Sequence, residues 1–141
     1  MERREPLVSK KNNTQRRSAG MLGIYSFIHI DGTLKGLLKQ EASTGFDVLE
    51  ALTPDPVGDL AIEEWATYVD KPDTILWGGI PGVYFTPVIS DQEFDRHIRA
   101  VLDVMKSEPR YVLGVADQVP PDGMESRVRR VAELVDKYGE Y

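Results

Sequence analysis

The sequence predicts an α/β fold in which four strands alternate with four helices. Four short apolar runs rich in β-branched and aromatic residues are typical of strands. A segment with apolar residues at helical spacing follows each run. A strand–helix order repeated in this way favours a parallel sheet joined by right-handed crossovers. At 141 residues with 41% hydrophobic content, the chain is long enough for one domain with a sizeable core.

The predicted strands are defined by their apolar character. Their hydrophobicity is nearly continuous, which predicts burial on both faces of the sheet. The four runs are IYSFIHI (24–30), FDVLEAL (46–52), TILWGGI (74–80) and YVLGVAD (111–117).

The first two helices are predicted from short apolar stripes. After the first strand, one helix face is formed by Leu34, Leu37, Leu38 and Ala42, and Gly45 is placed to end the helix. A second helix is predicted between Asp59 and Val69, with Asp59 as its N-cap. Its apolar residues are Leu60, Ile62, Trp65, Ala66 and Val69, which we interpret as helix-to-sheet packing.

The last two helices carry stronger signals. The segment SDQE at 90–93 is a capping box, in which Ser90 and Glu93 satisfy backbone N–H groups at the helix start. The following apolar stripe consists of Phe94, Ile98, Val101, Leu102 and Met105. On this helix His97 is expected to be solvated. The fourth helix is predicted over about Met124 to Tyr138. Its inward residues are Val128, Val131, Leu134, Val135 and Tyr138, and its outward residues are Arg127, Arg129 and Arg130.

Charge divides the chain into a basic N-terminal arm, residues 1–20, and an acidic body, residues 21–141. The arm holds six Lys or Arg and two Glu, although the net charge of the whole chain is -6. An acidic body argues against a nucleic-acid surface. The absence of cysteine excludes disulfides and thiolate metal ligands, and no apolar run is long enough to span a bilayer. A cytoplasmic protein with neither a nucleic-acid nor a membrane partner is expected.

Candidate functional residues follow the predicted strands, because ligands of parallel α/β proteins bind at the carboxyl ends of the strands. The first strand ends in His29 and Asp31, the second contains Glu50, and the fourth ends in Asp117. Imidazole and carboxylate groups at one edge of a sheet are suited to acid–base catalysis or to binding a metal. The third strand ends in WGGIPG, whose Gly78 and Gly79 allow close approach of a ligand to the backbone.

Each candidate also has a structural interpretation. A single histidine at a strand end, such as His29, more often bonds a backbone carbonyl than binds a ligand. Asp31 is a suitable N-cap for the first helix. Glu50, flanked by apolar residues, is equally suited to a salt bridge. Asp117 is suited to capping the loop before Pro120. The glycines before Tyr84 are most simply explained as a tight turn.

Several segments resemble the C-terminal half of the uroporphyrinogen decarboxylase superfamily, which also contains cobalamin-dependent methyltransferases. They are FIHIDGTLKGLL, GFDVLEALTPDPVGDL, ILWGGIP and YVLGVADQVPPDGMESRVRRVAELVDKYG. The resemblance covers about residues 20–141, and PPD after the final strand is its most specific part. It implies half of a TIM (β/α)8 barrel, strands five to eight, since a whole barrel needs about 250 residues.

The resemblance also implies roles for the candidate residues. The position of Asp117 resembles one where the decarboxylases have a histidine. In the methyltransferase zinc motif, His29 matches the histidine, while Asp31 and Asp117 stand where the family has cysteines. Catalytic roles are therefore expected for His29, Asp31 and Asp117, which are also the expected ligands of a divalent zinc, manganese or iron ion. The expected substrate-binding residues are Glu50, Gly78, Gly79 and Tyr84.

The implied function is that of a domain in a lyase or a methyltransferase-like enzyme of porphyrin or corrinoid metabolism. Its substrate would be a tetrapyrrole, a corrinoid or another small carboxylated or methylated molecule. Because the front half of the barrel is missing from the chain, the sequence does not predict whether the chain alone is an active enzyme. The alternatives are an inactive half barrel that binds metal or corrinoid, and a truncated remnant. An isolated half barrel exposes its inner face and two sheet edges, which predicts a homodimer or a front-half partner.

Overall fold

The computed structural model describes residues 23–140, which form a four-stranded sheet with helices between the strands. The strands are β1 (Phe27–His29), β2 (Val48–Leu52), β3 (Ile75–Pro81) and β4 (Tyr111–Ala116). All neighbouring strands are parallel, and their order in the sheet is β1-β2-β3-β4. The predicted α/β class and the parallel sheet are confirmed. A sheet with this order is compatible with half of a barrel.

Within residues 23–140, three helices and two 3₁₀ turns connect the strands, and a fourth helix follows β4. The helices are α1 (Leu38–Thr44), α2 (Trp65–Tyr68), α3 (Asp91–Met105) and α4 (Glu125–Tyr138). The 3₁₀ turns are Ile62–Glu64, directly before α2, and Gly82–Phe85, directly after β3. Gly45 ends α1 in the left-handed conformation, and the Ser90 hydroxyl accepts a hydrogen bond from the Glu93 N–H at the start of α3. Both predicted helix boundaries are confirmed.

The helices cover one face of the sheet, which we call the covered face. Leu49 and Leu76 project from neighbouring strands into the main core, where they meet buried residues of α1 and α2. Trp65 is fully buried there, as its packing role predicted. A second cluster joins β3 to α3 and α4 through Ile80, Phe94, Ile98 and Leu134. All five residues of the predicted α3 stripe are buried.

The opposite side, which we call the open face, is not covered by any of the residues 23–140. Phe27, Trp77 and Val112 are 66%, 41% and 39% exposed, and each alternates with a residue that points into the core. Within residues 23–140 the strands are therefore covered on one face only, and the exposed second face is what an isolated half barrel was expected to show. Near-continuous hydrophobicity does not distinguish a strand covered twice from one whose second face is apolar but uncovered.

The second helix is shorter than predicted. Only Trp65–Tyr68 is α-helical, and Asp59 does not cap it. The Asp59 carboxylate instead accepts hydrogen bonds from the backbone N–H groups of Leu34 (2.7 Å) and Lys35 (3.1 Å). It thereby satisfies the turn that leads into α1, where the sequence suggested Asp31 as the cap. Leu37, predicted on the apolar face of that helix, is exposed.

Two neighbouring residues of α4 exchange their predicted environments. Val128 was expected inside and is exposed, whereas Arg127 was expected outside and is buried. The Arg127 guanidinium donates to the carbonyl groups of Tyr84 and Thr86, with a further bond to the Asp91 carboxylate at 2.9 Å. Because these acceptors come from the segment between β3 and α3, no periodicity within α4 could indicate them. Arg127 therefore holds this segment against α4.

Two further predictions concern the basic arm and membrane-spanning helices. The basic arm, residues 1–20, lies outside the described residues. Within residues 23–140 there is no helix with the length and apolar character needed to cross a bilayer.

Candidate functional site

Three of the predicted residues meet at the carboxyl edge of the sheet. His29 ends β1 and pairs in register with Glu50 of β2, so that both side chains lie on the open face. The Nδ1–H of His29 donates to Oε2 of Glu50 at 2.6 Å. On the other side of the ring, Nε2 of His29 lies 3.5 Å from Oδ1 of Asp117, the residue after β4. The imidazole is thus placed between two carboxylates from different strands.

The members of this cluster differ in their exposure. The Glu50 side chain is 17% exposed, whereas those of His29 and Asp117 are 44% and 51% exposed. A carboxylate that accepts from one ring nitrogen orients the imidazole and directs the other nitrogen outwards. Glu50 is therefore placed to orient His29, and the Nε2 side of the ring together with Asp117 is accessible to a small molecule.

The backbone is strained next to the cluster. Among residues 23–140, the two non-glycine residues with positive φ are Ala51 (66°) and Asp117 (68°). Ala51 follows Glu50 directly, where the pairing of β2 with β3 shifts register. A left-handed alanine costs about 1–2 kcal/mol, and such strain is concentrated at functional sites. Both deviations thus occur at residues that form or adjoin the cluster.

Asp31 does not join the cluster. It lies two residues beyond the end of β1, is exposed, and makes no ion pair with the other residues of 23–140. The strand ends at His29, so the alternation that would put positions 29 and 31 on the same face does not continue. The pattern His-x-Asp could not reveal where the strand stops.

The predicted substrate-binding glycines lie against other parts of the protein. A Cβ on Gly78 would overlap the backbone of Leu52, and one on Gly79 would overlap the hydroxyl of Tyr111. That hydroxyl donates to the Gly78 carbonyl at 2.7 Å. The space that these glycines leave open is filled by protein atoms from β2 and β4.

Tyr84 is also part of the protein interior. It lies in the 3₁₀ turn after β3, where burial raises the pKa of its hydroxyl above the ordinary value. Its ring contacts the imidazole of His97, with the ring centres 4.3 Å apart. The Nε2–H of His97 donates to the carbonyl of Gly79 at 2.8 Å.

His97 is therefore not solvated, and that prediction is wrong. Burial lowers the pKa of His97, and this effect outweighs the hydrogen bond to Gly79, which acts in the opposite direction. The exposed position expected for His97 followed from its neighbour Arg96, but the helix face that it occupies points towards the glycine-rich end of β3.

Trp77 is a residue of the open face that the sequence analysis missed. Leu49 and Leu76 are buried on the covered face, and the residue after each, Glu50 and Trp77, lies on the opposite face. The indole nitrogen of Trp77 lies close to Gly114 of β4, where a Cβ would overlap it. The sequence signal that could have identified Trp77 was its position one residue after a core leucine, which places it on the other face of the strand. We had considered this segment only for its glycines.

The fit of a metal ion to these residues can be judged from the donor atoms. In the described part of the chain, no group of three or more His, Asp or Glu side chains is arranged to hold a metal. The closest arrangement is the pair of His29 Nε2 and Asp117 Oδ1. Two zinc ligands with bonds of about 2.0–2.2 Å in tetrahedral geometry are separated by about 3.4 Å. The observed 3.5 Å suits two ligands of one ion, and a carboxylate behind the histidine is a common supporting contact.

Comparisons with known proteins do not assign the chain to a family. No protein-family model matches the sequence, and no curated protein matches it either.

Proposed function

We propose that this chain is the C-terminal half of a uroporphyrinogen decarboxylase-like barrel. It would act on a tetrapyrrole, a corrinoid or another small carboxylated or methylated substrate once a second half completes the enclosure. The single observation that carries the proposal is the cluster of His29, Glu50 and Asp117 at the carboxyl edge of the sheet. The segments that resemble the superfamily, and a sheet compatible with half of a barrel, support it.

The proposed chemistry assigns a different task to each residue. Glu50 accepts the Nδ1–H of His29 and so fixes the direction of the ring. The Nε2 atom then gives a proton to the substrate or takes one from it, and Asp117 stabilises the charge that forms on the imidazole. Asp31, on the exposed segment after β1, is proposed to contact the substrate once the enclosure is formed.

In a metal-dependent form of the proposal, Nε2 of His29 would bind a divalent zinc, manganese or iron ion instead of exchanging a proton with the substrate. His29 and Asp117 would hold it through Nε2 and Oδ1, and Glu50 would support the histidine from behind. When bound, the metal supplies Lewis acidity, and carboxylate ligands would leave it more labile than the thiolates of the methyltransferase motif. The remaining ligands would come from the substrate or from the second half.

A second candidate function is an inactive module that binds metal or corrinoid. The exposure of His29 and Asp117 favours it, because a half barrel alone does not exclude water from the cluster. In this case the assembled protein would bind the ligand without converting it.

Metal analysis of purified variants tests the proposal. The chain contains two histidines, so His97→Gln is a matched control for His29→Ala. The samples are equilibrated with zinc, manganese or iron, and excess metal is removed. We expect one bound ion per assembled barrel. Binding of this ion should be lost in His29→Ala and kept in His97→Gln. Decarboxylation and methyl-transfer assays on the same samples separate the enzyme from the inactive module. Turnover is expected only after assembly with a second half.

Two results would count against the proposal. Absence of bound metal together with unchanged turnover in His29→Ala would remove the cluster from the chemistry. Decarboxylation of uroporphyrinogen by the chain alone would contradict the need for a second half.

A further inference from the structure

The cluster of His29, Glu50 and Asp117 joins two strands that are not neighbours. β1 and β4 are the outer strands of the sheet and do not pair with each other. His29 ends β1 and Asp117 directly follows β4, yet Nε2 of His29 lies 3.5 Å from Oδ1 of Asp117. The contact therefore links the carboxyl ends of the outer strands across β2 and β3.

The register of the sheet shows how far apart these positions would be without curvature. One row of paired residues crosses all four strands and consists of Ile28, Leu49, Leu76 and Tyr111. His29 lies one residue beyond this row on β1, whereas Asp117 lies six residues beyond it on the β4 side. Strands are about 4.8 Å apart and rise about 3.3 Å per residue, so a flat sheet would separate the two positions by about 14 Å across the strands and about 16 Å along them. Two side chains cannot span that distance.

The contact is thus possible only because the sheet is twisted and curved. Neighbouring strands of a sheet are rotated by about 20–25°, which adds up to about 60–75° over the successive pairings from β1 to β4. This rotation turns the carboxyl end of β4 towards β1, as in a sheet that curves to form a barrel. The distance between His29 and Asp117 therefore reports the curvature of the whole sheet.

The curvature of an open sheet is adjustable. The rotation between neighbouring strands ranges from about 10° to about 35° among proteins, and a closed barrel restricts it by pairing its first strand with its last. Within residues 23–140 the sheet has no such closing pair, because β1 and β4 are its outer strands. A small change at each pairing accumulates at these two strands, so the distance between their carboxyl ends is sensitive to every pairing in the sheet.

The side chains of His29 and Asp117 alone would hold this distance weakly. Both are exposed, and ion pairs between exposed groups contribute little to stability. A metal ion would hold the distance firmly, since its bonds to nitrogen and oxygen have narrowly defined lengths. The Nε2 atom of His29 is already directed towards Asp117, because Glu50 accepts a hydrogen bond from the other ring nitrogen.

We propose that a divalent metal ion bound between Nε2 of His29 and Oδ1 of Asp117 fixes the separation of β1 and β4, so that metal binding and the curvature of the sheet are coupled. This inference rests on the metal-dependent form of the proposed function and adds a regulatory property to the same site. Coupling of this kind is reciprocal. A state of the sheet in which the outer strands already have this separation binds the ion more tightly, and a state in which they lie further apart releases it.

Distances between spin labels in the full-length chain test the proposal, with zinc as the probe. The sequence contains no cysteine, so two introduced cysteines are labelled specifically. Thr33→Cys and Gln118→Cys place the labels at exposed positions beyond the ends of β1 and β4, and Gln92→Cys with Asp136→Cys provides a control pair on α3 and α4. Electron paramagnetic resonance should show that saturating zinc narrows the distribution of distances in the first pair and leaves the control pair unchanged. In His29→Ala, zinc should change neither pair.

Three outcomes would overturn the inference, and equilibrium dialysis of zinc on the same samples shows which of them also affects the proposed function. Zinc that binds through His29 without narrowing the first distribution would remove the coupling and leave the metal site standing. Narrowing that persists in His29→Ala, or that is equal in both pairs, would assign the effect to zinc bound elsewhere. Absence of zinc binding while His29 is intact would overturn both the coupling and the metal-dependent form of the proposed function.

Discussion

The two faces of the sheet differ in composition and in how closely they are packed. On the covered face, Leu49 and Leu76 are fully buried among helix residues. On the open face, the residues that follow them are Glu50, which bonds His29, and Trp77, which is partly exposed. The same strands thus build a core on one side and present polar and aromatic groups on the other. Stability of the isolated chain is expected to depend on the covered face, and function on the open face.

Substitution of two consecutive residues of β3 should separate the faces most clearly. Leu76→Ala removes a fully buried side chain and should lower the free energy of unfolding by about 2–5 kcal/mol. Trp77→Ala removes a larger side chain that is partly exposed and should cost less than about 1 kcal/mol. Urea denaturation followed by circular dichroism provides both values. Equal losses would mean that the open face is as tightly packed as the covered face.

Two glycines in neighbouring strands offer a smaller but sharper comparison. An alanine at Gly78 would have a φ of 152° and would overlap the backbone of Leu52, so a loss of about 3 kcal/mol is expected. An alanine at Gly114 would meet the indole of Trp77, a side chain that can move into solvent, at a cost of about 1 kcal/mol. Thermal denaturation compares the two variants.

A spectroscopic control accompanies the glycine comparison. Trp65 is buried, so a change in the emission of exposed Trp77 is expected in Gly114→Ala and not in Gly78→Ala. If Gly114→Ala were the more damaging substitution, Trp77 would be held in place more firmly than its exposure indicates.

The smallest expected effect concerns pH and belongs to the helical side. Burial holds the folded-state pKa of His97 below its ordinary value of 6.5. The unfolded chain therefore binds more protons between these two pKa values, so the contribution of His97 is complete above about pH 6.5 and declines as the pH falls below it. His97→Gln should reduce this decline. Denaturation at pH 7 and at pH 5.5 measures the free energy of unfolding of the variant and of the unchanged protein. An equal loss of stability between the two pH values in both proteins would contradict the prediction.

Local patterns predicted much of the fold. The α3 stripe and its capping serine were predictable because all the residues concerned lie within one helix. Arg127 was not, because its acceptors belong to a segment about 40 residues earlier in the chain. The short second helix was also missed, since its predicted cap, Asp59, bonds the turn before α1 instead.

The candidate site was predictable only in outline. The rule that strand ends meet at one edge predicted that His29, Glu50 and Asp117 would be close. It could not predict which nitrogen of His29 faces which carboxylate, because that depends on strand register and on the register shift between Leu49 and Leu52. Asp31 was misplaced because the last residue of a three-residue strand cannot be located from alternation alone.

The order of the strands in the sheet is the same as their order along the chain. Each new strand therefore pairs with the strand that was synthesised before it. No later strand has to insert between two earlier ones. Each pairing still closes over a whole helical crossover, as between Leu76 and Tyr111, and parallel pairing of this kind forms slowly. During translation the sheet can grow one unit at a time from β1, and the edge of β4 is the last to form.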